Sequence, residues 1–244
     1  ESNPEVSLVS GHFRRHRAAN TKKNNCPIFS RPGLRNGQYG VAAGCEALRI
    51  FAPHRPRPNH VGVNAMSLPK TMSGVVLTGH GGPEMLQWRD DLPTPTPGPG
   101  DVVVRVGASA VNNTDINTRL AWYSKAGNAA DDAAWNGVPI RFPRVQGIDA
   151  CGTIAAIGSG VDAKRLGERV LIETCLRYAD GQKLVEPWYL GSECDGGFAQ
   201  YLRVDARHAF AINSPLSDAE LASFPCSYST AENMLTRAKI GAGE

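Results

Sequence analysis

From Ser73 onward, apolar and polar positions alternate in short bursts punctuated by glycine and proline. SGVVLTGHG and MLQWRDDLP predict two short strands joined by a Gly-Gly-Pro turn. PTPTPGPGD follows as a stiff proline-rich connector, and DVVVRVGASAV predicts the strongest strand of the chain. That strand discharges directly into Asn112, Asn113, Thr114 and Asp115. Two readings of this polar cluster stand side by side. Asn, Thr and Asp bond their own backbone and so cap helices, while the rigid end of a strand is also where reacting groups are held. ACGTIAAIGSGV, ERVLIETC and GGFAQYLRVD predict three further strands. So many strands with few helices between them point to a mainly β fold with flanking helices, built as a partly open barrel.

The pattern changes again near the end. Ser217 with Glu220 three residues on is a capping box that predicts a helix start in SPLSDAELASF. A second helix is expected from Tyr228 to Lys239, with Ala231, Met234, Leu235 and Ala238 on one apolar face. Between the strands, the stretch from Leu176 to Glu193 carries Tyr178, Trp188 and Tyr189 among charges. A lid, a pocket wall, a dimer contact and a plain surface loop all suit it.

Residues 1–65 have no apolar period. They hold 10 of the 26 Lys/Arg but 3 of the 23 Asp/Glu, so the basic balance of +3 comes from this segment and the remainder is mildly acidic. The expectation is a disordered or non-native leader over 1–65, with a basic arm that grips nucleic acid or membrane lipids, or a transit peptide, as the sharper alternatives. The acidic remainder argues against a nucleic-acid surface. No apolar run is long enough for a membrane span. Six scattered cysteines without a CxxC pair suggest reduced thiols and a cytoplasmic location.

Five segments, taken in order, resemble the catalytic domain of the medium-chain dehydrogenase/reductases. They are the VNNTD cluster behind its strand, PRVQGIDACGTIAAIGSGV, LGERVLIET, GGFAQYL and ELASFPCSYSTAENML. The match runs from about Ser73 to Glu244. It implies a GroES-like β-barrel over 66–225, then a connecting helix at 226–244 leading into a Rossmann domain that binds NAD(P)H. The glycine-rich phosphate loop of that second domain is not in this sequence, so the expectation is a catalytic-domain fragment, inactive alone.

In the zinc-dependent branch of that family a Cys, a His and a second Cys hold the catalytic metal. Matched segment by segment, these positions fall on Asn112, Ile148 and Cys226. Two of three ligands are replaced, and Asp115 and Asp149 would leave one thiolate among hard oxygens, a poor zinc set. The structural zinc lobe needs four cysteines where this chain has Cys175 and Cys194. No zinc is expected. The resemblance therefore implies the zinc-free branch, with NADPH passing hydride to a quinone or enone, a small-molecule partner, and room for a homodimer in a full-length form.

Within that reading Asn112, Asp115 and Tyr123 are the candidate catalytic residues, and Asn112 and Thr230 the candidate cofactor contacts. Asn112 and Tyr123 would donate hydrogen bonds to a developing oxyanion. Against this, Asn112 would simply cap the turn, and Tyr123 would pack on Trp122. Asp115, taken as exposed and ionised, would cap the helical turn and pair with Arg119 rather than act as a general acid. Thr230 has helix packing as its alternative, and Cys226 reads as a buried small residue rather than a nucleophile. Asn117 stands where quinone oxidoreductases often carry Tyr, which puts the usual substrate-side contact in question. A zinc alcohol dehydrogenase with atypical ligands and a non-catalytic GroES-like binding module are the competing functions.

Overall fold

A computed structural model describes residues 68–124, 134–135 and 137–241. The leader expected at 1–65, together with Cys26 and Cys45, lies outside the described residues.

The opening hairpin forms as the alternation requires. Strand β1 (Thr71–Leu77) pairs antiparallel with β2 (Leu86–Pro93) through a 3₁₀ turn at Pro83–Met85. Strand β3 (Asp101–Ala110) runs in its expected place, and the short β4 (Arg144–Val145) adds to the free side of β1. Strands β5 (Asp149–Ile157) and β6 (Arg169–Ile172) continue the body of the fold. The stretch that the sequence left undecided is a two-stranded hairpin, β7 (Cys175–Ala179) with β8 (Gln182–Tyr189). Strands β9 (Tyr201–Asp205) and β10 (Ala209–Ala211) are the last among the described residues.

The main sheet is five-stranded in the order β10-β6-β5-β3-β9, antiparallel throughout. It meets the first sheet along one seam. There Val75 N donates to Phe198 O (2.8 Å) and Gln200 N to Ser73 O (3.0 Å), which curls the two sheets into a partly open barrel. Val102, Val104, Ile154, Val170, Leu202 and Val204 fill its interior. Burying such a side chain contributes roughly 1.5–3 kcal/mol each relative to leaving it exposed. On the opposite face Cys151 and Leu171 are covered by Leu221 and Ala222.

Those last two residues belong to α2 (Asp218–Ala222); α1 (Asn113–Arg119) and α3 (Pro225–Ala238) are the other helices among the described residues. The capping box at α2 forms as expected, with Ser217 N donating to Glu220 Oε2 (2.7 Å) and Glu220 N to Ser217 Oγ (3.3 Å). Arg169 ties α2 to the barrel by donating to Asp218 Oδ1, Ser214 O and Leu216 O. Helix α3 starts three residues before the expected Tyr228, because Pro225 suits a first turn whose N–H groups have no intrahelical partner. Its expected apolar face is open: Met234 and Leu235 are 55% and 49% exposed. Among the described residues no helix is long and apolar enough to cross a membrane.

Candidate functional site

The β3–β5 register sets the site. Ala110 lies opposite Asp149, so the end of β3 and the start of β5 bring Asn112 and Asp149 to one place. Asn112 caps α1 from an extended backbone, its Oδ1 accepting from Thr114 N at 3.0 Å. The same amide reaches across, Nδ2 donating to Asp149 Oδ2 at 3.2 Å. The other oxygen of Asp149 accepts from Cys226 N at 2.6 Å, which pins the first turn of α3 onto the barrel.

Asp115 sits one turn into α1 and closes its capping box, Oδ2 accepting from Asn112 N at 2.9 Å. It is not the exposed residue expected from sequence; only 5% of it meets solvent. Its Oδ1 turns inward and accepts from Gly147 N and Ile148 N, both at 3.1 Å. Gln146, equally buried, adds a bond from its Nε2 to Asp115 O (3.0 Å). Arg119 does not pair with Asp115. Its guanidinium donates to Gly81 O at 2.6 Å, and its own carbonyl accepts from Gly81 N. The helical i,i+4 spacing was right, but three backbone donors had already engaged the carboxylate.

Gly147 lets the 197–198 backbone close on this segment, Gly197 N donating to Gly147 O at 2.8 Å. Its φ is +105°, and an added Cβ would come within 2.7 Å of Phe198 N and 2.8 Å of Gly197 N. Only glycine combines that backbone with that clearance.

Burial dominates the electrostatics. It pushes the Asp115 carboxyl up to about 6, against the pull of the Asn112, Gly147 and Ile148 N–H groups and with a small push from Asp149. Asp149 is also raised by burial, opposed by the Cys226 N–H and the Asn112 amide. Burial, then the neighbouring Asp149, drives Cys226 up to about 11, so its thiol is protonated at neutral pH. Its Sγ lies 3.9 Å from Thr114 Oγ1.

The remaining candidates are placed as follows. Thr230 is exposed, and its hydroxyl donates back to Cys226 O at 2.7 Å. Tyr123 packs edge-on against Trp122 (5.3 Å between centroids), and its hydroxyl accepts from Asn117 Nδ2 at 3.4 Å. Sequence reasoning missed Gln146, and it missed the stack that Tyr123 builds with Trp135 and Tyr189. A glutamine inside VQGID was the available signal for the first; nothing local marked the second.

As metal ligands these groups fit badly. The three positions that correspond to zinc ligands offer an amide, an alkyl chain and a protonated thiol, and all four oxygens of Asp115 and Asp149 already accept N–H donors. No cluster of three His, Cys, Asp or Glu able to hold a metal occurs among the described residues.

Residues 98–214 match the alcohol dehydrogenase GroES-like domain family. An alcohol dehydrogenase of Schizosaccharomyces pombe is 25% identical over 188 residues, covering 73% of this chain and 50% of that protein. An NADPH-dependent alkenal/one oxidoreductase, chloroplastic, of Arabidopsis thaliana is 24% identical over 219 residues, covering 89% of this chain and 51% of that protein. A solved structure described as an alcohol dehydrogenase from Sinorhizobium meliloti 1021 is 41% identical, with a TM-score of 0.66 over 73% of this chain and 50% of that one. The chain spans about half the length of the curated relatives it matches.

Proposed function

Since this chain belongs to the medium-chain dehydrogenase/reductase superfamily through its GroES-like domain, we propose that it forms the substrate-side barrel of an NADPH-dependent oxidoreductase reducing quinones or enones without catalytic zinc. One observation carries the reading. Where a metal would be gripped, Asn112, Ile148 and Cys226 present neutral groups, and the two nearby carboxylates are consumed by hydrogen bonds. The Arabidopsis relative, whose name states NADPH and an alkenal or enone, supports the same choice.

NADPH, when bound, supplies the hydride. The residues of this chain do the rest. An amide NH₂ has two hydrogens, and Asn112 commits one to Asp149. The second is available to the oxyanion that develops on the acceptor oxygen as hydride arrives. The Tyr123 phenol, whose oxygen accepts from Asn117, retains its own hydrogen as a second donor. Removing one such donor typically costs two to three orders of magnitude in rate. Asp115 and Asp149 act as positioning residues, holding Asn112 from two sides. Thr230 has spent its hydrogen on Cys226 O, so toward a bound nicotinamide it would serve only as an acceptor.

The test uses protein expressed from the whole reading frame that contains this sequence. NADPH oxidation with 1,4-naphthoquinone and with an aryl enone, alongside metal content, is the measurement. Turnover from metal-free protein is expected. Stoichiometric zinc whose removal abolishes activity would favour an alcohol dehydrogenase with atypical ligands, and failure to bind NADPH would favour a non-catalytic binding module; either sinks the proposal.

A further inference from the structure

One buried imidazole holds the β7–β8 hairpin to the barrel. The ladder of that hairpin loses register between Leu176 and Tyr178. There Arg177 N and Tyr178 N both donate, at 3.1 Å each, to His208 Nε2. Two consecutive strand residues facing one partner is the count of a β-bulge, here with a ring nitrogen as the partner. His208 closes the 3₁₀ turn Ala206–His208 between β9 and β10 and is 3% exposed. Its Nδ1 faces Glu173 Oε2 at 2.7 Å, and its carbonyl accepts from Glu173 N at 2.9 Å.

A neutral imidazole has one N–H and one lone pair. With the lone pair at Nε2 taken up by β7, the hydrogen sits on Nδ1 and bonds the Glu173 carboxylate. A second proton therefore has one place to go, Nε2. It would aim an N–H at two N–H donors in a buried space, so the ring cannot be charged while β7 keeps both bonds. The charges around it sharpen the choice. Glu173 is the carboxylate in contact; Asp205 also feels the ring but is held by Arg207 in a bidentate pair at 2.7 and 2.6 Å. Positive charge comes from Arg177 on β7, from Arg207, which covers the Tyr178 ring at 3.5 Å, and from Arg165, which donates to Ala206 O and Ala209 O. The Tyr178 ring itself stands 6.0 Å from the imidazole. A charged ring keeps Glu173 and gives up β7.

The far end of the hairpin meets the site. Past Tyr189, Leu190 N donates to Thr174 O at 3.3 Å. Gly191 (φ +77°) then lies so close to the 146–147 backbone that an added Cβ would come within 2.8 Å of Gly147 N and 3.0 Å of Gln146 Cα. What steadies β7 and β8 thus backs the segment that presents Ile148 and bonds Asp115.

We propose that His208 is an acid-sensitive latch. Neutral, it ties β7 to the barrel through Arg177 N and Tyr178 N; charged at Nε2 on acidification, it releases both and loosens the hairpin behind the site. The latch is independent of what the barrel catalyses.

Hydrogen–deuterium exchange tests it on protein expressed from the whole reading frame. Peptides covering 173–181 are followed in steps from about pH 7.5 to about 5, with peptides from β3 as the reference and every rate divided by the intrinsic rate at that pH. Protection over β7 is expected to fall about tenfold across that range while β3 stays constant, the size set by the loss of the hydrogen bonds to Nε2. H208Q keeps an acceptor oxygen on a side chain that takes no proton there, so its β7 protection should be flat. E173Q removes the carboxylate that a charged ring retains and should move the fall to lower pH. Protection that is unchanged by pH in the unsubstituted protein overturns the latch, as does a fall of equal size in H208Q. If H208Q leaves β7 unprotected at every pH, E173Q decides. A fall displaced to lower pH sustains the latch, and one that stays where it was overturns it.

Discussion

Asp115 poses a contest between two physical effects that a single variant decides. Burial removes water from its carboxylate, while three backbone N–H groups point at it. Burial prevails, carrying the carboxyl from the ordinary 3.8 to about 6. A value raised in the folded state means that the folded chain holds a proton over a range where the unfolded chain has lost it. Stability contributed by this group is therefore fully present below about pH 4 and is lost as pH rises through about 6. Two units at 1.36 kcal/mol each make that loss about 3 kcal/mol. D115N carries no titrating proton there. Its amide oxygen retains the bonds from Gly147 and Ile148 but turns NH₂ toward Asn112 N–H, a donor facing a donor, at a cost of about 1–3 kcal/mol. Urea unfolding followed by tryptophan fluorescence, repeated between about pH 4 and 7.5, measures both proteins. The advantage of the unsubstituted chain over D115N should shrink by about 3 kcal/mol across that range, with unchanged m-values. An advantage that is flat, or that grows with pH, would mean that the three donors outweigh burial, and the account of the site's electrostatics would fall.

Two other substitutions probe the scaffold around the site. His208 is buried, and its Nε2 accepts from both Arg177 N and Tyr178 N (3.1 Å each) while Nδ1 faces Glu173 Oε2 at 2.7 Å. An acceptor at Nε2 places the ring hydrogen on Nδ1. H208A strands both N–H groups within β7 and should lower the unfolding free energy by roughly 2–4 kcal/mol in urea, a loss under about 0.5 kcal/mol contradicting the assigned bonds. G147A combines a positive φ with a clash against the 197–198 backbone. It should cost roughly 2–6 kcal/mol in the same assay, and near-neutrality would show that the loop closes on Gly147 less tightly than described.

The alternation of apolar and polar positions was enough to place β1, β2, β3, β5 and β9, because strand side chains repeat every two residues whatever they later touch. The Ser217–Glu220 box and the capping role of Asn112 and Asp115 were legible for a similar reason: each is a bond between residues two or three apart. Those same positions did not reveal which way Asp115 faces. The i,i+4 rule offered Arg119, yet the partners that engaged the carboxylate, Gly147 and Ile148, come from more than 30 residues downstream. One partner of Asp149 is 77 residues away at Cys226, and Trp135 packs on Tyr189, more than 50 residues downstream. Such contacts depend on the β3–β5 register and on how closely glycine lets two backbones approach, quantities that exist only once the sheet has closed. Local chemistry chose the elements, and the closing of the barrel chose their partners.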